Sequence, residues 1–426
     1  MSTATMIDPK ASVLPLLQAG TWPDAAEALA QVNALRIPTI KTEAWKYTRV
    51  GKLFNQAYVA PNGSASVTIP ERLPFPTLRL VFVNGFFRRE LSDEIWPMKG
   101  VRIGSIRELM GAPEFAARYV PITPVNERLF SAMNTAAPTD GLFLHLLSDC
   151  DLKQPIHVLH ITSGEGQLIQ PRDLILVDDD VKAEIIFEHV SENATNSLVN
   201  IVREFALGES ASLTVHKLQR EASRTAAGGP AHISQESVRL EAKANFNIDS
   251  TTLEGALVRN DLNVSLSGPG AHAELNGVYL LNGTTHCDNH TYIGHDVPDC
   301  TSDELYKGII AEKGTGVFNG KVYVKQDAQR TRAYQSNANI LQGDDARIFT
   351  KPELEIYADD VKCSHGCTIG RLDENGLFYL RSRGVSEGEA RKMLSHAFMT
   401  DVLERITNED WRKHLASLID AKLEAL

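Results

Sequence analysis

Alternation of apolar and polar residues dominates the middle of this 426-residue chain. Between about residues 141 and 370, short runs alternate with a period of two, as in strands that have one buried face. These runs are residues 142–146, 156–161, 174–177, 185–187, 213–218, 238–240, 262–266, 278–281 and 322–324. Few segments with helical periodicity interrupt them, so we expect one long β region.

A turn followed by a strand also recurs loosely within this region. Residues 208–213, 270–275, 314–318 and 343–348 each begin with a glycine and continue into an apolar alternation. A sandwich or barrel of this length is uncommon, whereas a solenoid of stacked coils accommodates it. The sequence therefore predicts a mainly β fold with a parallel β-helix as its core.

Helical patterns flank the β region on both sides. Residues 25–30 are rich in helix formers, and a short amphipathic stretch follows at residues 41–48. After the β region, Ser386 and Glu389 have the spacing of a capping box, and Asn408 can cap a further helix. We predict three domains. Residues 1–140 are helical and mixed, residues 141–370 form the β-helix, and residues 371–426 are helical.

The helix predicted after Ser386 carries an apolar stripe. Its members are Ala390, Leu394, Ala397, Phe398, Val402 and Ile406. Two interpretations are open from the pattern alone. The stripe either covers the open end of the solenoid, which must not leave unpaired strand edges, or docks a partner protein.

Composition and charge exclude several classes of function. Hydrophobic content of 43% and charged content of 23% are typical of a soluble globular protein. A net charge of −11 argues against a nucleic-acid-binding surface, which needs clustered Lys and Arg. We expect no membrane span and no secretion signal, and five cysteines indicate reduced thiols in the cytosol.

The strongest chemical signal lies at residues 359–367 (DDVKCSHGC). If this segment is a strand, Cys363, His365 and Cys367 project from the same face. Two thiols and an imidazole suit zinc, ferrous iron or sulfur chemistry, but one strand seldom completes a metal site. A fourth ligand or a partner chain is then required. The alternative is a structural strand with buried thiols and a histidine bonded to a backbone carbonyl.

A second polar cluster alternates onto one strand face at His286, Asp288 and His290. It is ligand-like, although a solvated polar ladder on a solenoid face has the same pattern. Residues 314–322 do not form a nucleotide-binding loop, because the spacing is wrong and a valine occupies the position of the magnesium-binding Ser or Thr. We therefore expect this chain to bind no nucleotide.

Residues 274–384 resemble the SufD family, scaffold subunits of the Suf iron–sulfur cluster assembly machinery. The segments that carry the resemblance are 286–295 (HCDNHTYIGH), 318–324 (FNGKVYV), 328–331 (AQRT), 352–356 (PELEI), 359–366 (DDVKCSHG) and 377–384 (LFYLRSRG). Glu43, Trp45 and Tyr47 resemble the family's N-terminal motif, so the likeness covers nearly the whole chain.

The resemblance implies a non-enzymatic cytoplasmic scaffold with a right-handed parallel β-helix, active under oxidative stress or iron limitation. It implies pairing with a SufB-like subunit and docking of a SufC-like ATPase on the C-terminal helices, through Ala390, Leu394, Phe398 and Val402. A transient iron or iron–sulfur cluster then assembles at the SufB–SufD interface, where Cys363 and His365 are the implied ligands. A cysteine desulfurase and a sulfur-transfer protein act indirectly, and the complex can include reduced flavin. The isolated chain can instead form a homodimer.

Two positions depart from the expected pattern. Cys367 occupies a position where the family has a small apolar residue, so the resemblance gives it no ligand role. Asn337 occupies a position where SufB-type chains carry a cysteine, which favours the SufD type. Two rival hypotheses stay open. One is a solenoid enzyme that cleaves polysaccharides with paired carboxylates, and the other is a structural zinc site at Cys363, His365 and Cys367.

Overall fold

The structure is a computed structural model that describes residues 8–18, 22–95, 98–111 and 121–424. Within these ranges the strands are β1 (Leu78–Val83), β2 (Phe86–Phe87), β3 (Val101–Ser105), β4 (Leu142–Leu146), β5 (Ile156–Glu165), β6 (Leu168–Ile169), β7 (Arg172–Val177), β8 (Lys182–Thr195), β9 (Leu198–Leu207), β10 (Ser212–Arg220), β11 (Ala231–Leu240), β12 (Asn245–Glu254), β13 (Leu257–Leu266), β14 (His272–Leu281), β15 (His286–His295), β16 (Thr301–Ala311), β17 (Thr315–Val324), β18 (Arg332–Gln342), β19 (Arg347–Ile356) and β20 (Lys362–Gly370). The helices are α1 (Leu14–Leu17), α2 (Ala25–Ala34), α3 (Ile106–Leu109), α4 (Leu129–Ala136), α5 (Glu374–Ser382), α6 (Glu387–Leu403) and α7 (Glu409–Glu424).

Two facing sheets form a parallel β-solenoid, which confirms the predicted fold. Sheet A has the order β2-β1-β5-β8-β10-β12-β14-β16-β18-β20. Sheet B has the order β19-β17-β15-β13-β11-β9-β7-β4-β3, with β6 beside β9. From β8 onward, consecutive strands alternate between the sheets, so each coil contributes one strand to each. The glycine-led segments identified in the sequence are the turns that enter β10, β14, β17 and β19.

The space between the two sheets, here called the bore, is filled by side chains at every second strand position. The apolar members include Phe187, Phe205, Phe246, Leu275 and Ile310. Their alternation with outward residues is the period-two pattern of the sequence. Burial of these side chains supplies most of the driving force for stacking the coils.

Tyrosine and glycine alternate between neighbouring coils in the later part of the bore. Tyr279 on β14 lies beside Gly308 on β16, and Tyr306 on β16 lies beside Gly277 on β14. A methyl group added at Gly308 would approach the Tyr279 ring to 2.0 Å, and one added at Gly277 would approach the Tyr306 ring to 2.1 Å. Each glycine therefore provides the space that a neighbouring aromatic ring occupies.

The terminal regions pack on opposite outer faces of the solenoid. Helices α2 and α4 share an apolar cluster with the outward residues of sheet B. Helices α6 and α7 pack on the outer face of sheet A, where Met399, Val402 and Trp411 contact residues such as Leu280 and Ile309. The Ser386 hydroxyl accepts a hydrogen bond from the backbone N–H of Glu389 and caps α6. The side-chain oxygen of Asn408 accepts one from the backbone N–H of Trp411 and caps α7, as predicted.

The apolar stripe of α6 therefore does not cover the open end of the solenoid, which corrects one of the two interpretations. Ala390 and Val402 are buried, and Leu394 and Phe398 are half-buried in the packing on sheet A and α7. Most of the apolar surface of these four residues is used inside the chain. None of the helices in the described ranges is long and apolar enough to cross a membrane.

Candidate functional site

The last coil of the solenoid, formed by β19 and β20, is exposed. Strand β20 is the final strand of sheet A and β19 the final strand of sheet B. All residues of β20 except Cys363 are exposed, whereas the inward residues of the preceding strand β18 are buried. The unpaired edge of β20 can therefore accept a strand or surface from another chain.

Cys363, His365 and Cys367 share one face of β20, as the sequence predicted. They lie in parallel register with Ala333, Gln335 and Asn337 of β18, respectively. These three partners are buried in the bore, whereas the intervening Tyr334 and Ser336 are exposed. Side chains in register on neighbouring strands point the same way. The two thiols and the imidazole therefore face the mouth of the bore.

The three side chains differ in their surroundings. Cys363 is half-buried and contacts an apolar cluster that includes Val322, Ala333 and Leu354. This burial raises the pKa of the Cys363 thiol above its ordinary value. His365 and Cys367 are exposed, so the alternative with buried thiols and a structurally bonded histidine does not describe them.

The spacing along β20 limits what these residues can hold together. Residues two apart on a strand have Cα atoms about 7 Å apart, and residues four apart about 13 Å. Cys363 and His365 can converge on one ion, but Cys363 and Cys367 cannot. In the described ranges, no group of three or more His, Cys, Asp or Glu residues is arranged to hold a metal. A single zinc held by all three residues therefore does not fit this strand.

Large apolar side chains surround the open end. Tyr334, Ile356, Tyr357 and Ile369 are each more than a third exposed. Isolated exposed apolar residues are common, but a group of them beside an unpaired strand edge is typical of an interaction surface. The open end thus combines main-chain hydrogen-bonding groups, apolar surface and metal-ligating side chains.

The bore directly below the open end is polar, which the sequence analysis missed. Gln335 donates a hydrogen bond from Nε2 to Oε2 of the buried Glu304, at 2.7 Å. The Asn337 amide donates to the Tyr279 hydroxyl at 3.0 Å, and Tyr279 donates to Asn339. Glu304 and the apolar Ile310 are an even number of positions apart on β16, so their side chains project from the same face of the strand. That shared face was the available signal that this carboxylate points inward.

The polar cluster of β15 lies on the outer face of sheet B, away from the open end. Asp288 is buried, forms a salt bridge of 2.6 Å with Arg259 and accepts a hydrogen bond from the Thr48 hydroxyl. His290 approaches the same carboxylate at 2.9 Å, and His286 contacts Thr48 at 2.8 Å. The neighbouring cations hold the pKa of Asp288 below its ordinary value despite burial. A metal role for His286, Asp288 and His290 stays a prediction, but Arg259 already pairs the carboxylate.

This cluster on β15 holds the N-terminal motif (Glu43, Trp45 and Tyr47) in place. Trp45 lies under the Arg259 guanidinium, with 3.8 Å between the guanidinium carbon and the ring centroid. Glu43 forms a salt bridge with Lys351 of β19 at 2.6 Å. The segment therefore runs along sheet B to the last coil. The N-terminal motif and the β15 segment, which lie far apart in the sequence, therefore contact each other in the fold.

A groove of about 790 Å³ lies between this segment and the outer face of sheet B. Four of the five carboxylates that line it are paired with cations: Asp261 with Arg259, Glu43 with Lys351, Glu353 with Lys321 and Lys351, and Glu355 with Lys321. Hydrogen bonding to Lys351 lowers the pKa of Glu43 and of Glu353. A glycosidase needs one carboxyl with a raised pKa as its acid. The groove therefore does not support the polysaccharide-cleaving hypothesis.

Comparison with known proteins assigns the family. Residues 160–398 match the family model for the SUF system FeS cluster assembly SufBD core domain. Residues 24–158 match the model for the SufBD protein N-terminal region. This chain belongs to the SufBD family. The two matched segments together cover the N-terminal region, the solenoid and most of α6.

Individual SufBD-family relatives agree with this assignment. The chain is 33% identical over 390 residues to an iron–sulfur cluster assembly SufBD family protein of Synechocystis, covering 88% of this chain and 85% of that protein. It is 30% identical over 407 residues to the iron–sulfur cluster assembly protein SufD of Escherichia coli, covering 94% and 93%. It is 22% identical over 301 residues to the iron–sulfur cluster assembly protein SufD of Bacillus subtilis, covering 70% of this chain and 68% of that protein.

Proposed function

We propose that this SufBD-family chain is the SufD-type scaffold subunit of a cytosolic SufBCD-type complex, without catalytic residues of its own. It pairs with a SufB-like subunit through the open end of its solenoid. The observation that carries the proposal is the position of Cys363 and His365 on β20, an exposed final strand with an unpaired edge. Similarity to SufD of Escherichia coli over 94% of this chain supports the same assignment.

Cys363 and His365 supply half of a transient site for iron or an iron–sulfur cluster. A thiolate and an imidazole are good ligands for ferrous iron, and the partner subunit supplies the remaining ligands. Burial raises the pKa of Cys363, so its thiol stays protonated until a metal ion displaces the proton. Cys367 lies on the same face and is a further thiol at the mouth.

A SufC-like ATPase docks on the C-terminal helices. Because the α6 stripe packs within the chain, the docking surface consists of the exposed apolar residues Phe378, Tyr379 and Met393 on α5 and α6. Phe378 is 75% exposed, which is unusual for a phenylalanine without a partner. ATP-driven movement of the ATPase then opens and closes the subunit interface. Reduced flavin, a cysteine desulfurase and a sulfur-transfer protein act through the complex and need no site on this chain.

The test compares two neighbouring residues of β20 in the assembled complex. His365→Ala removes the ligand that faces the mouth, whereas Ser364→Ala changes an exposed residue on the opposite face. We expect His365→Ala to abolish cluster formation, measured as the visible absorption of the reconstituted cluster, and Ser364→Ala to leave it unchanged.

Size-exclusion chromatography must first establish that both variants still assemble with the SufB-like and SufC-like subunits. Equal cluster yield from the two assembled variants would contradict the proposed role of His365. Failure of the wild-type chain to form a complex with a SufB-like subunit would contradict the assignment as a whole.

A further inference from the structure

Charged side chains inside the bore are paired along most of its length. Asp173 contacts Arg203 at 2.9 Å, Arg203 contacts Glu236 at 2.7 Å, and Lys217 contacts the second oxygen of Glu236 at 2.5 Å. All four residues are almost completely buried. Two carboxylates thus face two cations, as burial of charge requires.

Glu304, further along the same bore, has no such partner. It is 1% exposed, and within the described ranges no Lys, Arg or His forms a salt bridge with it. Its Oε2 accepts the hydrogen bond from Gln335, while its Oε1 is buried without a full hydrogen bond from any described residue. The neighbouring Thr291 hydroxyl interacts with the carboxyl and lowers its pKa, but it carries no charge. A fully buried carboxylate in this situation must either keep a proton or receive a cation.

Gln335 carries a second unpaired oxygen beside Glu304. Its Nε2 is used in the bond to Glu304, while its Oε1 is also buried without a partner. Gly320, on the opposite strand β17, makes room for this side chain, since a methyl group there would lie 2.3 Å from the Gln335 amide nitrogen. Two hard oxygen donors are therefore left free in one part of the bore.

The strand register connects these oxygens to the open end. Glu304, Gln335 and His365 occupy equivalent positions on β16, β18 and β20. Neighbouring strands are about 4.8 Å apart, so Glu304 lies only about 10 Å below His365 along this ladder. A second row of in-register residues next to this ladder consists of Tyr306, Asn337 and Cys367. Donors thus change from oxygen inside the bore to nitrogen and sulfur at its mouth.

We propose that Glu304 and Gln335 form an inner site for a divalent metal ion, ferrous or manganous, below the His365 position. The ion binds through Glu304 Oε1 and Gln335 Oε1, which are both buried without a hydrogen-bond partner among the described residues. Carboxylate and amide oxygens suit such ions, and water molecules complete the coordination. When the carboxyl is protonated, binding of the ion releases one proton to solvent.

This inner site extends the proposed function. It rests on that function, because only a role in iron–sulfur cluster assembly makes ferrous iron the physiological ion. The site holds an iron ion behind the thiols, from which His365 and Cys363 can receive it. Oxygen ligands bind ferrous iron less tightly than thiolates, so transfer outward is favourable. The inner site is thus a loading position for the interface.

The test uses the full-length chain and Mn²⁺ as the probe, because Mn²⁺ prefers oxygen ligands and its free form is measured by electron paramagnetic resonance. We expect one Mn²⁺ per wild-type chain and at least a tenfold weaker affinity for Glu304→Gln, which keeps the side-chain shape. The matched control is Glu355→Gln, which removes a carboxylate of the last sheet B strand that pairs with Lys321. It should bind Mn²⁺ as the wild type does.

Unchanged Mn²⁺ affinity in Glu304→Gln would overturn the inner site, as would a wild-type chain that binds no Mn²⁺. Circular dichroism and the unfolding midpoint establish that the variant is folded. Competition by Fe²⁺ under anaerobic conditions should displace the bound Mn²⁺. Cluster yield of His365→Ala in the assembled complex tests the proposed function separately, so either hypothesis can fail while the other stands.

Discussion

Tyr47 stacks on Phe349 of β19, with ring centroids 4.2 Å apart and planes only 10° from parallel. Phe349 belongs to the exposed last coil, whereas Tyr47 belongs to the N-terminal segment that Arg259 and Asp288 hold against sheet B. The stack therefore connects the N-terminal region to the coil that carries the candidate site. An aromatic pair of this kind stabilises by about 1 kcal/mol beyond the area it buries.

Replacement of Tyr47 by Ala should loosen β19 locally without unfolding the solenoid. We expect faster amide hydrogen exchange in residues 347–356 and an unfolding free energy reduced by about 1 kcal/mol. Tyr379→Ala is the matched control, because Tyr379 is more exposed and lies on α5, away from β19. Exchange in β19 that is equally fast in both variants would contradict the connection.

Asp288 should be far more important for stability than an exposed carboxylate with an equally close partner. Asp288→Asn removes one of the two carboxylates that pair with the buried Arg259, while Asp261 remains. Because removal of one member of a buried pair costs about 3–5 kcal/mol, we expect a loss at the lower end, about 3 kcal/mol. Asp299→Asn breaks the exposed pair with Arg330 and should cost less than about 1 kcal/mol. Urea-induced unfolding measures both. Similar losses in the two variants would show that the N-terminal segment is not held through Asp288.

The Tyr279–Gly308 contact predicts a strong effect from a single methyl group. Gly308→Ala would place the new methyl 2.0 Å from the Tyr279 ring, and overpacking of this kind costs about 1–3 kcal/mol. Gly366→Ala is the control, because a methyl group at that position of β20 has no atom within 4 Å. Thermal unfolding should distinguish the two variants. An unaffected midpoint in Gly308→Ala would show that the bore can expand at this coil.

Glu304 should give the metal-free protein a measurable pH dependence of stability. Burial raises its pKa from an ordinary 4.5 to about 7, so between these values the folded state binds a proton that the unfolded state has lost. This contribution is complete below pH 4.5 and is lost as the pH rises to about 7. The full difference corresponds to about 3 kcal/mol.

Glu304→Gln removes this titration while keeping the shape of the side chain. The unfolding free energy of the variant minus that of the wild type should therefore increase from pH 5 to pH 8, by up to about 3 kcal/mol. Urea unfolding in the presence of a chelator measures the difference, with Glu355→Gln as the control at both pH values. A difference between variant and wild type that does not change with pH would show that Glu304 titrates normally.

The sequence was informative wherever a local pattern determines the structure. Alternation at residues 213–218 and 262–266 predicted strands because one face of each is buried, and the caps at Ser386 and Asn408 depend only on neighbouring residues. The shared face of Cys363, His365 and Cys367 follows from strand geometry alone. These features needed no knowledge of the coils on either side.

Features that depend on distant pairing could not be predicted in this way. Thr48 contacts His286 over a sequence separation of 238 residues, so the function of the β15 cluster as an anchor was not visible. The α6 stripe was correctly identified as apolar, but its packing on sheet A depends on which coil it reaches. Glu304 was missed because no alternating run was recognised at residues 301–311, so its phase relative to Ile310 was not used.

The five cysteines should differ strongly in their reaction with an alkylating reagent. Cys367 is exposed and should react first, and Cys363 should follow because it is half-buried with a raised pKa. Cys287 is fully buried in the bore, and burial raises its pKa to about 12, so little thiolate forms at neutral pH. Mass spectrometry of peptides after timed alkylation gives the order directly. Urea-unfolded protein is the control in which all five should react at similar rates. If Cys287 reacted as fast as Cys367 in the folded chain, the coil around β15 could not be closed, and the bore would be open to solvent well below the mouth.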